Sequence, residues 1–161
     1  MKAEDIMNKR VIYFSPENTI LEISKKFAEY NISGAPIVEN KKVVGIICNS
    51  DIIKFINENV YKDATEINST TSSIIINLLH THDKKIKFKK GVEKILNTKV
   101  RDIMTKDVKL VKPETDFLEV IEIMIKHGIN RIPVIDDNGE IVGIITRDDV
   151  IKGIAKHKSL S

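Results

Sequence analysis

The sequence has no tryptophan, one cysteine, four prolines and few aromatic residues, 5% of the chain. With so few rings, the core must be built from isoleucine, valine and leucine, which suits strands and the helices that cover them. The lone Cys48 excludes an internal disulfide and a multi-cysteine zinc site, and a reducing cytosol is its natural compartment. No apolar run approaches the ~20 residues that span a bilayer. The start, Met1-Lys2-Ala3-Glu4-Asp5, lacks the apolar stretch of a signal peptide. Charge of one sign is also missing. There are 26 basic and 23 acidic residues, net +3, so bulk charge predicts neither a nucleic-acid nor a membrane partner. What remains is a chain of 161 residues, 42% hydrophobic and 30% charged, enough for one domain or two small ones sharing a core.

The dominant feature is an internal repeat. At a shift of 97 residues Asp5-Ile6-Met7 falls on Asp102-Ile103-Met104, Pro16-Glu17 on Pro113-Glu114, Leu21-Glu22 on Leu118-Glu119, Ile32 on Ile129 and Pro36 on Pro133. At a shift of 98, Val44-Gly45-Ile46-Ile47 meets Val142-Gly143-Ile144-Ile145, and Asp51 meets Asp149. All four prolines lie in two equivalent pairs. Two copies of one supersecondary unit are expected to pack together, because neither is large enough to bury its own apolar face.

Each copy is expected to run strand, helix, strand, strand, helix. An extended segment, Val11 to Phe14 or Val108 to Val111, precedes a proline. Thr19-x-x-Glu22 and Asp116-x-x-Glu119 carry the spacing of capping boxes. Ile20, Ile23, Phe27 and Tyr30 recur at helical spacing, as do Phe117, Val120, Met124 and His127, and each set predicts a buried stripe. Asn31 and Gly128 suit left-handed caps. The strands Ile37-Val38 and Val134-Ile135 follow Ile32-Ser33-Gly34-Ala35-Pro36 and Ile129-Asn130-Arg131-Ile132-Pro133. Asn138-Gly139 is a strong two-residue hairpin signal and Asn40-Lys41 a weaker one. The last strand is Gly-Ile-Ile, with a helix starting near Ser50 or Asp148. The first helix of this kind is expected to extend to about Tyr61. The expected division is 1–60 for the first copy, 61–99 for a linker with a helix of its own, 100–157 for the second copy and 158–161 for a tail.

The chemistry gathers where a strand hands over to a helix, a place where open sheet-and-helix folds bind ligands. There stand Cys48-Asn49-Ser50-Asp51 and Thr146-Arg147-Asp148-Asp149. A carboxylate can accept from both hydroxyls of a ribose. The Thr146 hydroxyl and the amides of a helix start can bind phosphate oxygens. Arg131 and Arg147 could add charge-assisted bonds, which Asp148 would oppose. Thr146-x-x-Asp149 also has the spacing of a simple helix cap, contributing ~1 kcal/mol, and both uses stay open. Cys48 fits a small residue at a strand end better than a reactive thiol. His127 fits a structural role. His80 and His82 lack a third ligand, so no metal is expected. Lys84 to Lys90 could meet nucleic acid, and Ile74 to Leu79 could face a partner or pack on its own chain.

Two copies of Asp-Ile-Met, of Ser/Asn-x-x-Pro before a strand, and of Gly-Ile-Ile-x-x-x-Asp resemble a tandem pair of CBS motifs (cystathionine β-synthase domains, or Bateman module). The resemblance implies an α/β (α+β) fold, with the two motifs packed as a pseudo-two-fold sandwich. It implies clefts that take adenosine-containing regulatory ligands (AMP, ADP, ATP or S-adenosylmethionine), no catalytic residues and no other cofactor. Carried over, one cleft would use Thr146 and Asp149 with Ile32, Ser33, Gly34 and Ala35. The other would use Ser50 and Asp51 with Ile129, Asn130 and Arg131. Met7 and Met104 would lie near the base. Cys48 stands where the pattern has Ser or Thr, which weakens the second cleft. The expectation is a stand-alone cytoplasmic regulatory and energy-sensing protein, a homodimer without enzymatic activity that signals to a protein partner. The alternatives are a dimeric scaffold with empty clefts and a nucleic-acid binder through Lys84 to Lys90.

Overall fold

The computed structural model describes residues 1–61, 86 and 89–157. The readings made of Thr65 to Ser73, of Ile74 to Leu79, of His80 and His82, and of most of the lysine run fall outside the described residues. The chain forms two compact units. The first comprises Met1–Ser15, Ala35–Ile46 and Thr105–Ser161, and the second Pro16–Gly34 and Ile47–Met104. Among the described residues no helix is long and apolar enough to cross a membrane.

In order, the elements are α1 (Ala3–Ile6), α2 (Ile20–Tyr30), β1 (Gly34–Glu39), β2 (Lys42–Cys48) and α3 (Asn49–Ile56). Next come α4 (residues 89–96), α5 (Phe117–His127), β3 (Arg131–Ile135), β4 (Ile141–Thr146) and α6 (Arg147–His157). A π-helical turn, Asn57–Tyr61, prolongs α3 as expected. β1 pairs with β2, and β3 with β4, in two-stranded sheets. The opening segments of the repeats are less regular than expected. Each makes only a single parallel bridge, Phe14 to Ile37 and Val111 to Val134. A proline two residues beyond each bridge, Pro16 and Pro113, stops the segment from growing into a longer strand.

Local chemistry sets the helix ends. Thr19 and Glu22 form the expected capping box. Glu22 Oε2 accepts from the Thr19 N–H (2.9 Å) and the Glu22 N–H donates to Thr19 Oγ1 (3.3 Å). Asp116 caps α5 through the Leu118 N–H (2.8 Å). Both helices end in the left-handed region, at Asn31 (φ 52°) and Gly128 (φ 62°). The buried stripes are Ile20, Ile23 and Phe27, and Phe117, Val120 and Met124. Tyr30 and His127 do not continue them and are exposed. Ten residues along a helix rotate a side chain roughly 80° off the starting line, and the chain leaves for its cap there.

The hairpins reverse the expected strengths of their turn signals. Asn40 and Lys41 both adopt positive φ (50° and 66°), the signature of a two-residue I′ turn between Glu39 and Lys42. Asn138-Gly139 instead ends a longer connection. The Gly139 N–H donates to the Asp136 carbonyl (3.0 Å), only Gly139 of the pair has positive φ (76°), and the β3–β4 register shifts between Val134 and Ile135. The loop closed between Asp136 and Glu140 needs the left-handed conformation at Gly139 alone.

In the first unit Ala3, Val111, Phe117, Val120, Met124, Ile132, Val134, Ile145 and Val150 form one core. In the second, the buried apolar residues include Ile20, Ile23, Phe27, Ile47, Ile52, Ile95 and Val100. The start of each repeat is built into the other repeat. The Ala3 N–H donates to Thr115 O (2.8 Å), Glu4 N–H to Pro113 O (3.0 Å) and Phe117 N–H to Met1 O (3.0 Å). At the equivalent positions the Val100 N–H donates to Asn18 O (2.8 Å), Arg101 N–H to Pro16 O (3.1 Å) and Ile20 N–H to Thr98 O (3.0 Å). Asn8 pairs with Ile144 on β4, and Thr105 with Ile46 on β2. Ala3 and Val100 anchor the two exchanges and are fully buried. Glu17 adds ion pairs with Lys99 and Arg101 on the Val100 side.

Two predictions follow from this packing. Val100→Ala is expected to cost roughly 2 kcal/mol, read as a lower urea midpoint at unchanged slope. A loss within about 0.5 kcal/mol, the scale of a neutral surface substitution, would show that the anchor is dispensable. The Glu22 carboxyl is held below its ordinary value of 4.5 by the Asn18 side-chain amide first and the Thr19 N–H second. A lowered folded-state pKa stabilises above the unfolded value and is lost as pH falls through the folded one. The melting-temperature advantage of the wild type over Glu22→Gln should therefore be present at pH 7, begin to fall as pH drops below the ordinary carboxylate range, and be lost as pH passes through the lowered folded-state value. An advantage constant over that range would contradict the assignment.

Candidate functional site

The residues singled out by their spacing lie where β2 passes into α3 and β4 into α6. At the second junction, in the first unit, the Asp149 carboxylate folds back on the strand end. Its Oδ2 accepts from the Thr146 N–H (2.8 Å) and from the Thr146 hydroxyl (2.6 Å). The Asp149 N–H makes a longer contact with Thr146 Oγ1 (3.4 Å). At the first junction, in the second unit, Asp51 Oδ2 accepts from the Cys48 N–H (2.8 Å). The cap expected from the spacing is thus formed in both copies. Thr146, Asp149, Cys48 and Asp51 are all half-buried, while Ser50, Arg147 and Asp148 are exposed.

The first amide of each helix is also engaged. The Arg147 N–H donates to Asn130 O (3.1 Å), and the Asn49 N–H to Ser33 O (2.9 Å). Each copy therefore brings the segment before its proline to its own helix start. Ile32 is half-buried, Ser33 exposed, and Gly34 and Ala35 buried, while Ile129 and Arg131 are half-buried and Asn130 exposed. The β3–β4 register sets Arg131 directly opposite Thr146. Directly opposed residues of an antiparallel pair present their side chains on one face. Arg131, grouped with Asp51 from the sequence, therefore has its backbone beside the β4–α6 junction, a proximity only the register could reveal.

Gly143 stands within β4 for a steric reason that spacing did not show. A Cβ there would come within 2.5 Å of Met7 Sδ, so Met7 lies directly on the backbone that leads to Thr146. A larger residue at this position would force the Met7 side chain to shift. Among the described residues, no group of histidine, cysteine, aspartate and glutamate could hold a metal ion.

Comparison with known proteins places this geometry. The model of the CBS domain family matches residues 3–58 and 100–156. The chain belongs to the CBS domain family. It has the mixed helix-and-strand fold of a CBS pair, two motifs in tandem. Protein MJ1426 of Methanocaldococcus jannaschii is 36% identical over 155 residues, covering 96% of this chain and 91% of that protein. The inosine-5′-monophosphate dehydrogenase of the same organism is 30% identical over 152 residues, but these make up only 23% of the dehydrogenase. Among solved structures, the CBS domain pair of protein MJ0100, in complex with 5′-methylthioadenosine and S-adenosyl-L-methionine, superposes with a TM-score of 0.70 at 24% identity over 98% of both chains. CBSX2 in complex with AMP gives 0.70 at 19% identity, again over 98% of both. At such identities these likenesses establish the fold.

Proposed function

We propose that this CBS pair is a non-catalytic sensor of an adenosine-containing small molecule, either AMP, ADP or ATP or S-adenosylmethionine. The observation that carries this reading is the pair of carboxylates, Asp51 and Asp149, held by the same 2.8 Å contact at equivalent strand-to-helix junctions. A carboxylate fixed through Oδ2 keeps Oδ1 for a ligand. An oxygen with two lone pairs suits the two hydroxyls of a ribose. Two related folds bind such ligands, AMP in one and S-adenosyl-L-methionine with 5′-methylthioadenosine in the other. Arg131, opposite Thr146 in register, and Arg147 are the arginines beside this carboxylate, and Ser33 and Ser50 are exposed in the other unit. Asp149, with the Thr146 hydroxyl upon it, is the stronger half-site.

Signalling follows by population shift. A ligand with unequal affinity for two conformations favours one of them and changes the surface offered to a protein partner. A second observation supports that partner surface. Leu118 and Ile125, seven residues apart on α5, are 72% and 76% exposed, and Ile151 and Ile154 on α6 are 64% and 50% exposed. Aliphatic side chains this open along a helix suit a protein surface, a second copy of the chain included.

Calorimetric titration with AMP, ADP, ATP and S-adenosylmethionine tests the reading. At least one is expected to bind, and Asp149→Asn, which keeps an oxygen for the cap, should weaken it about tenfold or more. The proposal fails if none of the four binds, or if binding is unchanged in both Asp149→Asn and Asp51→Asn.

A further inference from the structure

We infer that Asn138 is a site of spontaneous deamidation, held in check by a clasp between the tips of the β1–β2 and β3–β4 hairpins, both in the first unit. Asn138-Gly139 is the one asparagine–glycine pair in the chain. Glycine has no Cβ to shield its backbone nitrogen, so that nitrogen is well placed to attack Cγ of the asparagine before it. A bond forms between Gly139 N and Asn138 Cγ. The side-chain nitrogen leaves as ammonia, taking up the proton that Gly139 N loses, and a five-membered imide remains. Water then opens the imide at either carbonyl and gives aspartate or isoaspartate. Asn138 is exposed, so solvent supplies that water, and no oxidant or reductant takes part.

The folded loop withholds the attacking nitrogen. The Gly139 N–H donates to Asp136 O (3.0 Å) and closes a four-residue turn from Asp136 to Gly139. While that bond holds, the nitrogen keeps its proton and cannot swing onto Cγ. The turn is itself pinned, since the Asp136 N–H donates to Glu140 O (2.9 Å) and the Glu140 N–H to Asp136 Oδ1 (2.8 Å). The other hairpin closes over it. Lys42 bridges to Glu140 through its backbone, and its Nζ donates to the Asn138 carbonyl oxygen. A Cβ at Gly139 would stand 3.1 Å from that Nζ, so the ammonium lies over the reacting dipeptide. Lys41 adds an ion pair with Glu140 (3.7 Å), a small contribution because both side chains are exposed. Reaction waits on local opening, and its rate reports how often the hairpin tips part. Isoaspartate reroutes the chain through the former side chain and removes the peptide carbonyl that Lys42 holds, so the clasp does not re-form in the same geometry.

The test is peptide mapping by mass spectrometry after incubation at mildly alkaline pH, following amide-to-acid conversion and isoaspartate at residue 138. The full chain is compared folded and unfolded in guanidinium chloride, with folded Lys42→Met and, as a control away from the clasp, folded Lys25→Met. Asn138→Gln marks the background. Conversion is expected to be about tenfold or more slower in the folded wild type than in the unfolded chain, the scale of one hydrogen bond withheld. Lys42→Met should react severalfold faster than the wild type while its melting curve shows it folded, and Lys25→Met should match the wild type. Equal rates in the folded and unfolded chain overturn the inference, as does an unfolded chain that does not react at Asn138. A Lys42→Met rate equal to or below that of the wild type also overturns it, because Lys42 would then be idle or would assist the reaction.

Discussion

The exchange of opening segments between the two repeats is the constraint on which the other features depend. Ala3 and Val100, both fully buried, each carry a short run of backbone onto the proline turn and helix start of the opposite repeat. Those runs satisfy amides and carbonyls at helix beginnings that would otherwise lack partners. The residues that follow, Asn8 and Thr105, then pair with β4 and β2 and lie against strands whose ends become the two junctions. Neither repeat is complete by itself, so the duplicated sequence is one folding problem rather than two. The division into compact units agrees, since residues of both repeats occur in each.

Much of this was legible in the sequence because it is local. The capping box at Thr19 and Glu22, the left-handed ends at Asn31 and Gly128, and the handover from Gly-Ile-Ile to helix all depend on a few neighbouring residues. The repeat doubled the weight of each signal. Signals of longer reach were not legible. A repeat shows which segments are equivalent but not which partner each one chooses, so the exchange at Ala3 and Val100 left no mark. The place of Arg131 opposite Thr146 depends on a strand register that the bulge near Val134 modifies. Tyr30 and His127 matched helical spacing yet lie outside the core, because spacing fixes a face and not how far the covering layer extends. The Asn138-Gly139 pair does not make a two-residue turn because the connection closes between Asp136 and Glu140.

The cap and the proposed ligand contact, which spacing alone presents as rivals, do not exclude one another. A carboxylate that caps its helix through one oxygen is also one whose other oxygen is held still. Preorganisation of that kind limits what ordering a bound ligand costs. The two junctions are related by duplication but differ at Thr146 and Cys48, so on the proposed reading they would hold one ligand with unequal strength.

The most direct test of this account is a nuclear magnetic resonance titration of the ¹⁵N-labelled chain with AMP and, separately, with S-adenosylmethionine. The account predicts saturable shifts at the amides of Thr146 and Asp149, reached at lower ligand concentration than any at Cys48 and Asp51. Saturable shifts confined to other residues, or none with either ligand, would contradict it.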